Sequence, residues 1–202
     1  MTFKAPYISP DEIETKAEGF LREFHPDGSI PIPIEFIIEG KLGMDIIPIP
    51  GLKRGFAIEA FVSKNLLEIC VDEHTYSTSE RRYRFSLAHE LGHKFLHAEV
   101  WDQLGRFQTI EEWREIRSTE IPENEYGYLE FHANSFAGMI LAPTAPLTAK
   151  FESCISMAKK AGIDLSDPRV GGRDNVEAFI GREFNLSSAV IHRRLEYLDL
   201  WD

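Results

Sequence analysis

The residues best suited to chemistry lie in FSLAHELGHKFLH, residues 85–97, where His89 and His93 are four positions apart and Glu90 directly follows the first. On an α-helix, positions four apart differ by ~40° around the axis and ~6 Å along it, so the two imidazoles can meet at one point. Two neutral ring nitrogens suit Zn²⁺, which takes nitrogen at ~2.0–2.1 Å and keeps an open position in catalytic sites. Glu90 lies ~100° from His89, so it flanks such an ion instead of ligating it. From there it can hold and deprotonate a water molecule, which is the H-E-x-x-H arrangement of metal-assisted hydrolysis.

His97 continues the stripe but sits ~12 Å along the axis from His89, too far to share one ion on a straight helix. It is expected to be packed, or to support a ligand histidine through a hydrogen bond. A third ligand must come from another element, and YLEFHANSFAGMILAP, residues 128–143, offers one. There Glu130, Ala133, Asn134, Ala137 and Leu141 share a helical face, and the two alanines allow another helix to come close. Glu130 is the expected third ligand. His132 is ~200° away, so it cannot face the same ion as Glu130. Asn134 is either an acceptor for the N–H of a ligand histidine or an ordinary helix-face residue. Tyr126, Tyr128 and His132 are all candidates for stabilising an oxyanion, and the sequence does not separate them.

These side chains need elements to hold them. Ser9-Pro10-Asp11-Glu12 supplies a cap, a first-turn proline and a capping glutamate, and Ile13, Ala17, Phe20, Leu21 and Phe24 follow at helical spacing. PIPIEFIIEGKLG reads as a short helix ended by glycine, and MDIIPIPG as an extended segment that its prolines keep at a sheet edge. GFAIEAFV and LLEICVD, joined by Ser63-Lys64-Asn65, read as a β-hairpin. Ser77 with Glu80 has capping-box spacing and predicts a helix from there to about Glu99.

Trp101 to Tyr128 is long and acidic, with a short helical pattern around Trp113 and breaks at Pro122 and Gly127. A lid or insertion is expected there, with Trp101, Phe107 and Trp113 covering a cleft. Glu111, Glu112, Glu115, Glu120, Glu123 and Glu125 would give its outer side a negative field that favours basic protein segments. Helix resumes over Glu130–Leu141 and stops at Ala142-Pro143. Two further helical patterns flank Asn185-Leu186-Ser187, with Ser187 as a cap.

A net charge of −11 argues against nonspecific binding to phosphate backbones as the main activity and points to basic partners. With 202 residues and 43% hydrophobic composition the chain can bury one sizeable core. Cys70 and Cys154 lack metal-type spacing and fit free thiols in a reducing compartment, so a cytoplasmic location is expected. The first residues, MTFKAPYISPDEIETK, contain no apolar export core, and no run approaches the ~20 apolar residues of a membrane span.

Together, RFSLAHELGHKFLH and EFHANSFAGMILAP resemble the ImmA/IrrE family of intracellular zinc metallopeptidases, with its H-E-L-G-H helix and later E-x-x-A-N-x-F-A-x-x-L-L-x-P helix. The first helix, the I-P-I…L-G-M segment and the hairpin follow the family's order, and REFNLSSAVIHRRLEYLDL is similar to its C-terminal helices. MILAP in place of LLMP and the long acidic 101–128 stretch depart from the pattern. The resemblance implies an α+β, zincin-like fold of the gluzincin kind, with a small antiparallel sheet packed on the metal-binding helix. It implies one Zn²⁺ per chain held by His89, His93 and Glu130, with Glu90 as the catalytic glutamate; Asn134 and His97 stay candidates for supporting a ligand, on the spacing given above. The expected layout is one domain over 1–202, with a catalytic core over 1–145 that includes the 101–128 insertion and a C-terminal helical segment over 146–202.

By resemblance, the substrate is a helix-turn-helix repressor or an antitoxin, in transcription regulation, mobile elements or toxin–antitoxin pairs. One alternative is a metal-bearing or toxin-like module that controls a repressor by contact without cutting it. The other is a DNA-binding regulator using the basic cluster Arg182, His192, Arg193 and Arg194, although direct nucleic-acid binding is not expected from the charge.

Overall fold

A computed structural model of the chain describes residues 3–63, 65–103, 110–165 and 171–201, with backbone alone at 101–103, 110 and 113. The first helix, α1 (Pro10–Phe24), starts at a closed capping box: Ser9 Oγ accepts the Glu12 N–H at 3.3 Å and Glu12 accepts the Ser9 N–H at 2.8 Å. Its buried stripe of Ile13, Ala17 and Phe20 packs on helix α7 (Glu123–Leu141). Helix α2 (Ile34–Phe36) runs on into a π-helical turn over Ile37–Lys41. Strand β1 (Asp45–Ile49), helix α3 (Leu52–Phe56), strand β2 (Ala60–Val62) and strand β3 (Glu68–Asp72) follow.

The strands form a three-stranded sheet in the order β1-β3-β2. β2 and β3 make the expected antiparallel hairpin, with Phe61 opposite Cys70, and Lys64 of its turn lies outside the described residues. β1, carrying Pro48, is an edge strand as expected, but it runs parallel to β3 with Ile47 opposite Cys70. The sheet is therefore mixed and not wholly antiparallel. α3 lets β2 start at the far edge and run against β1, and the hairpin then turns β3 back into the middle, in the direction of β1. Gly55 and Phe56 belong to α3, so β2 is shorter than the sequence pattern suggests.

Asp72 ends β3 and caps helix α4 (Glu73–Thr78): its Oδ2 accepts the Thr75 N–H at 3.1 Å and its Oδ1 the Lys53 N–H at 2.8 Å. Ser77 is not the cap expected from its spacing. It lies inside α4 and donates its hydroxyl to the Glu73 carbonyl at 2.7 Å. Helix α5 (Glu80–Gln103) then runs between the β2–β3 hairpin and α7, with Leu87, Ala88 and Leu91 fully buried. Its backbone leaves helical geometry at His97, at φ −127° and ψ 16°.

Helix α6 (Ile110–Thr119) precedes α7, which begins at Glu123, two turns before Glu130. Pro122 is at the N-cap of α7, where its missing N–H is no loss, so it starts the helix instead of interrupting it. Gly127 costs about 1 kcal/mol relative to alanine and does not end a helix this well packed. After Ala142-Pro143 come α8 (Thr144–Lys160), α9 (Gly172–Phe184) and α10 (Ser188–Tyr197). Asn185 turns the last pair at φ 53°, and Ser187 Oγ accepts the Val190 N–H at 3.3 Å. One continuous apolar cluster links Phe20, Leu91, Phe136, Ile140, Ile180 and Leu195, so the C-terminal helices share the core that backs α5 and α7. No helix among the described residues is long and apolar enough to cross a membrane.

Candidate metal centre

α5 and α7 cross where Gly92 meets Ala133, and the crossing puts His89, His93 and Glu130 around one point. The two Nε2 atoms are 3.0 Å apart, and Glu130 places Oε2 3.4 Å from His89 Nε2 and Oε1 3.3 Å from His93 Nε2. One donor atom from each residue lies within 4.8 Å of the others, a grouping able to hold a metal ion.

The outer ring nitrogens have partners of their own. Asn134 Oδ1 is 3.2 Å from His89 Nδ1, and a carbonyl oxygen only accepts, so the His89 proton sits on Nδ1. On the other side His93 Nδ1 is 3.1 Å from His97 Nδ1, and His97 Nε2 is 3.3 Å from His132 Nδ1. The run can be donated in either direction, and an ion on His93 Nε2 requires the one in which His93 donates from Nδ1 to His97 and His97 from Nε2 to His132. Burial, reinforced by His93 and His132, pushes the His97 imidazole down to about 2, and burial also lowers His132, so both are neutral. In that direction both ligand protons turn outward and leave both Nε2 lone pairs free for an ion beside the Glu130 carboxylate. Two imidazole nitrogens and a carboxylate oxygen grouped this closely fit a small divalent metal of the zinc type.

The electrostatics agree. Burial pushes Glu130 up, but the His89 and His93 rings against it outweigh that and hold the carboxyl well below the usual carboxylate range. Burial pushes His89 down, yet Glu130 and Glu90 together with Asn134 leave it raised. Glu130 therefore stays ionised between the imidazoles.

Glu90 is buried and accepts the Val62 N–H through Oε2 at 2.8 Å. The Ser63 N–H bonds to the Glu68 carbonyl and the Asp72 N–H to the Glu59 carbonyl, so residues 59, 61 and 63 face β3. Ala60 and Val62 direct their backbone groups to the open edge, where Glu90 has taken the Val62 donor. This edge forms one wall of a cleft of about 600 Å³, with Phe85 and Ser86 of α5, Tyr126 of α7 and Arg114 and Arg117 of α6 on its other sides.

The structure separates the three oxyanion candidates. Tyr126, one turn before Glu130, lines the cleft, and burial and then the nearby Glu130 charge raise its phenol. Tyr128 is 57% exposed, and His132 is buried behind His97. Arg114 and Arg117 were not among the residues singled out from the sequence, although their spacing of three on a helical pattern is a signal for a shared face. Glu111, Glu112, Glu115, Glu120 and Glu123 are exposed, whereas the α6 side chains described in the cleft are basic. The side chains of Trp101, Phe107 and Trp113, expected to cover the cleft, lie outside the described residues.

An H-E-x-x-H helix crossed by a second helix that delivers a glutamate, beside a sheet edge, is the layout of a helical metallopeptidase-type domain. Residues 68–196 match the model of a peptidase family whose domain is described as IrrE N-terminal-like, and the chain belongs to that family. No curated protein matches the sequence. Among solved structures, a Mycobacterium tuberculosis transcriptional regulator is similar, with a TM-score of 0.53 at 15% identity over 94% of this chain and 47% of that one. That likeness shows the fold, and the chain spans about half the length of the regulator.

Proposed function

We propose that the protein is a zinc-dependent endopeptidase acting inside the cell, with one Zn²⁺ held by His89, His93 and Glu130. The observation that carries this is the grouping of His89 Nε2, His93 Nε2 and the Glu130 carboxylate around one point, with Glu90 lining the same cleft. Zinc bound there supplies Lewis-acid charge for a water molecule and a peptide carbonyl. Glu90, anchored by Val62, takes a proton from the water as the oxygen–carbon bond forms, and delivers it to the amide nitrogen as the carbon–nitrogen bond breaks. The Tyr126 hydroxyl, kept protonated, donates to the carbonyl oxygen as charge builds on it. An extended segment of the substrate pairs with the open edge of β2 at Ala60.

The proposed partner is a basic helix-turn-helix repressor or antitoxin, in keeping with the family and with the net charge of −11. Direct DNA binding by the C-terminal helices is less well supported. Arg194 is buried, donating to the Ala142 carbonyl at 3.2 Å and to Thr144 Oγ1 at 3.0 Å, and His192 pairs with Glu177 at 2.7 Å. The test is to incubate the zinc-loaded chain with DNA-binding proteins encoded beside it and determine the masses of both. The expected result is a cut partner with the wild type and an intact one with Glu90→Gln. A zinc-loaded chain that binds the partner and leaves it whole would establish control by contact instead.

A further inference from the structure

We infer that the cleft selects a substrate segment bearing an acidic side chain, which Arg114 and Arg117 hold; the inference rests on the peptidase reading of the cleft. The carboxylates that line the cleft are already engaged. Glu59 pairs with Lys53 at 2.6 Å and with Arg82, Glu90 accepts the Val62 N–H, and Glu130 lies between His89 and His93. Arg114 is exposed, with its guanidinium 5.9 Å from the Phe56 ring, and no carboxylate among the described residues lies within ion-pairing distance of it.

Arg117 stacks over the Tyr126 ring at 4.4 Å, and its carboxylate partner is Glu123 at 3.2 Å, whose side chain is 86% exposed. An ion pair in that setting contributes little and exchanges readily. The stacking instead holds the guanidinium beside Tyr126, one helical turn from Glu130. Arginine offers a planar fork of donors that matches a carboxylate in bidentate fashion. Successive side chains of an extended segment on β2 alternate between the two faces, so one substrate position meets the α6 arginines at a time. Aspartate or glutamate at that position completes the charge balance of the cleft. A locally acidic cleavage segment is compatible with a partner that is basic overall, because the exposed glutamates of α6 face away from the cleft and act on the partner as a whole.

The test uses short fluorescent peptides of one neutral sequence in which Asp, Asn or Lys is moved along one position at a time. Binding to the zinc-loaded, full-length Glu90→Gln chain is read by anisotropy, which does not depend on cleavage. At one position Asp should bind about three- to tenfold more tightly than Asn or Lys. Adding Arg114→Gln should remove most of that preference, and Arg114→Glu should reverse it towards Lys, with zinc content and melting temperature retained in both. Failure of every peptide to bind, equal affinity for Asp and Asn at all positions, or a preference that survives Arg114→Glu would each overturn the inference. The wild-type chain given the same peptides separates the two readings. Acidic preference without cutting supports the arginine site and counts against the peptidase, and cutting without acidic preference does the reverse.

Discussion

Gly92 and Ala133 meet backbone to backbone: a Cβ on Gly92 would stand 2.7 Å from the Ala133 Cα and 2.9 Å from its carbonyl oxygen. Gly92 lies between His89 and His93 in sequence, and Ala133 between Glu130 and Asn134. The contact therefore sets the spacing of the whole donor group, including the Asn134 bond to His89.

In an ordinary helix interior Gly→Ala adds about 0.5–1 kcal/mol of stability. At Gly92 the added methyl has no room, and overpacking of this kind costs about 1–3 kcal/mol. Gly92→Ala should therefore lose stability on balance and hold zinc less tightly, as read by urea denaturation and metal analysis. A variant more stable than wild type with unchanged zinc would show that the helices do not approach this closely.

Asn134→Leu leaves the His89 Nδ1–H without its acceptor, and His97→Phe does the same for His93. Losing a partner that orients a ligand histidine typically weakens metal affinity by about 10- to 100-fold. Titration against a zinc chelator should show that loss in each variant while the fold is retained. Wild-type affinity in both would remove these residues from the metal site.

Glu90→Gln keeps the shape of the side chain and an oxygen for the Val62 N–H, but removes the base. Zinc content should stay the same and cleavage of the partner should fall by about 10²- to 10⁴-fold. Comparable cleavage by the two proteins would assign proton transfer to another group.

Asp72 ties the end of β3 to α3 and α4, and that tie depends on pH. The Lys53 N–H, then Thr75 acting against burial, hold its carboxyl below the usual range. A folded-state value below the unfolded one means that its contribution is complete above the unfolded value of about 3.9 and is lost as pH falls through the folded value. Asp72→Ala should cost about 0.5–2 kcal/mol at neutral pH, the worth of a helix cap. The deficit should shrink towards zero in acid as the wild-type carboxyl protonates. Denaturation midpoints at several pH values measure it, and a deficit that is constant with pH would mean that the charge plays no part.

Much of this geometry was legible because local spacing carries it. A separation of four positions turns His89 and His93 to one side of a helix, and the small residues Ala133 and Ala137 mark the face of α7 where a second helix can come close. What escaped the sequence depends on tertiary partners. The parallel direction of β1 leaves no trace in a hydrophobic pattern, since direction is fixed by how α3 and the hairpin route the chain. Pro122 and Gly127 look like breaks, so the pattern starts the helix only at Glu130 and misses the two turns of α7 that bring Tyr126 to the cleft. Asp72 took the capping role that spacing gave to Ser77, because the Lys53 and Thr75 N–H groups converge on it only in the folded chain. The contact of His97 with His132 joins residues 35 apart, at the point where α5 departs from helical geometry.

The most direct measurement of the central claim is a crystal of the zinc-loaded full-length chain, with anomalous diffraction recorded on both sides of the zinc absorption edge. The proposed site predicts one strong peak per chain between His89 Nε2, His93 Nε2 and the Glu130 carboxylate, with an open position facing Glu90 and the cleft. No zinc peak at that point, or full zinc occupancy at another group of residues, would contradict it.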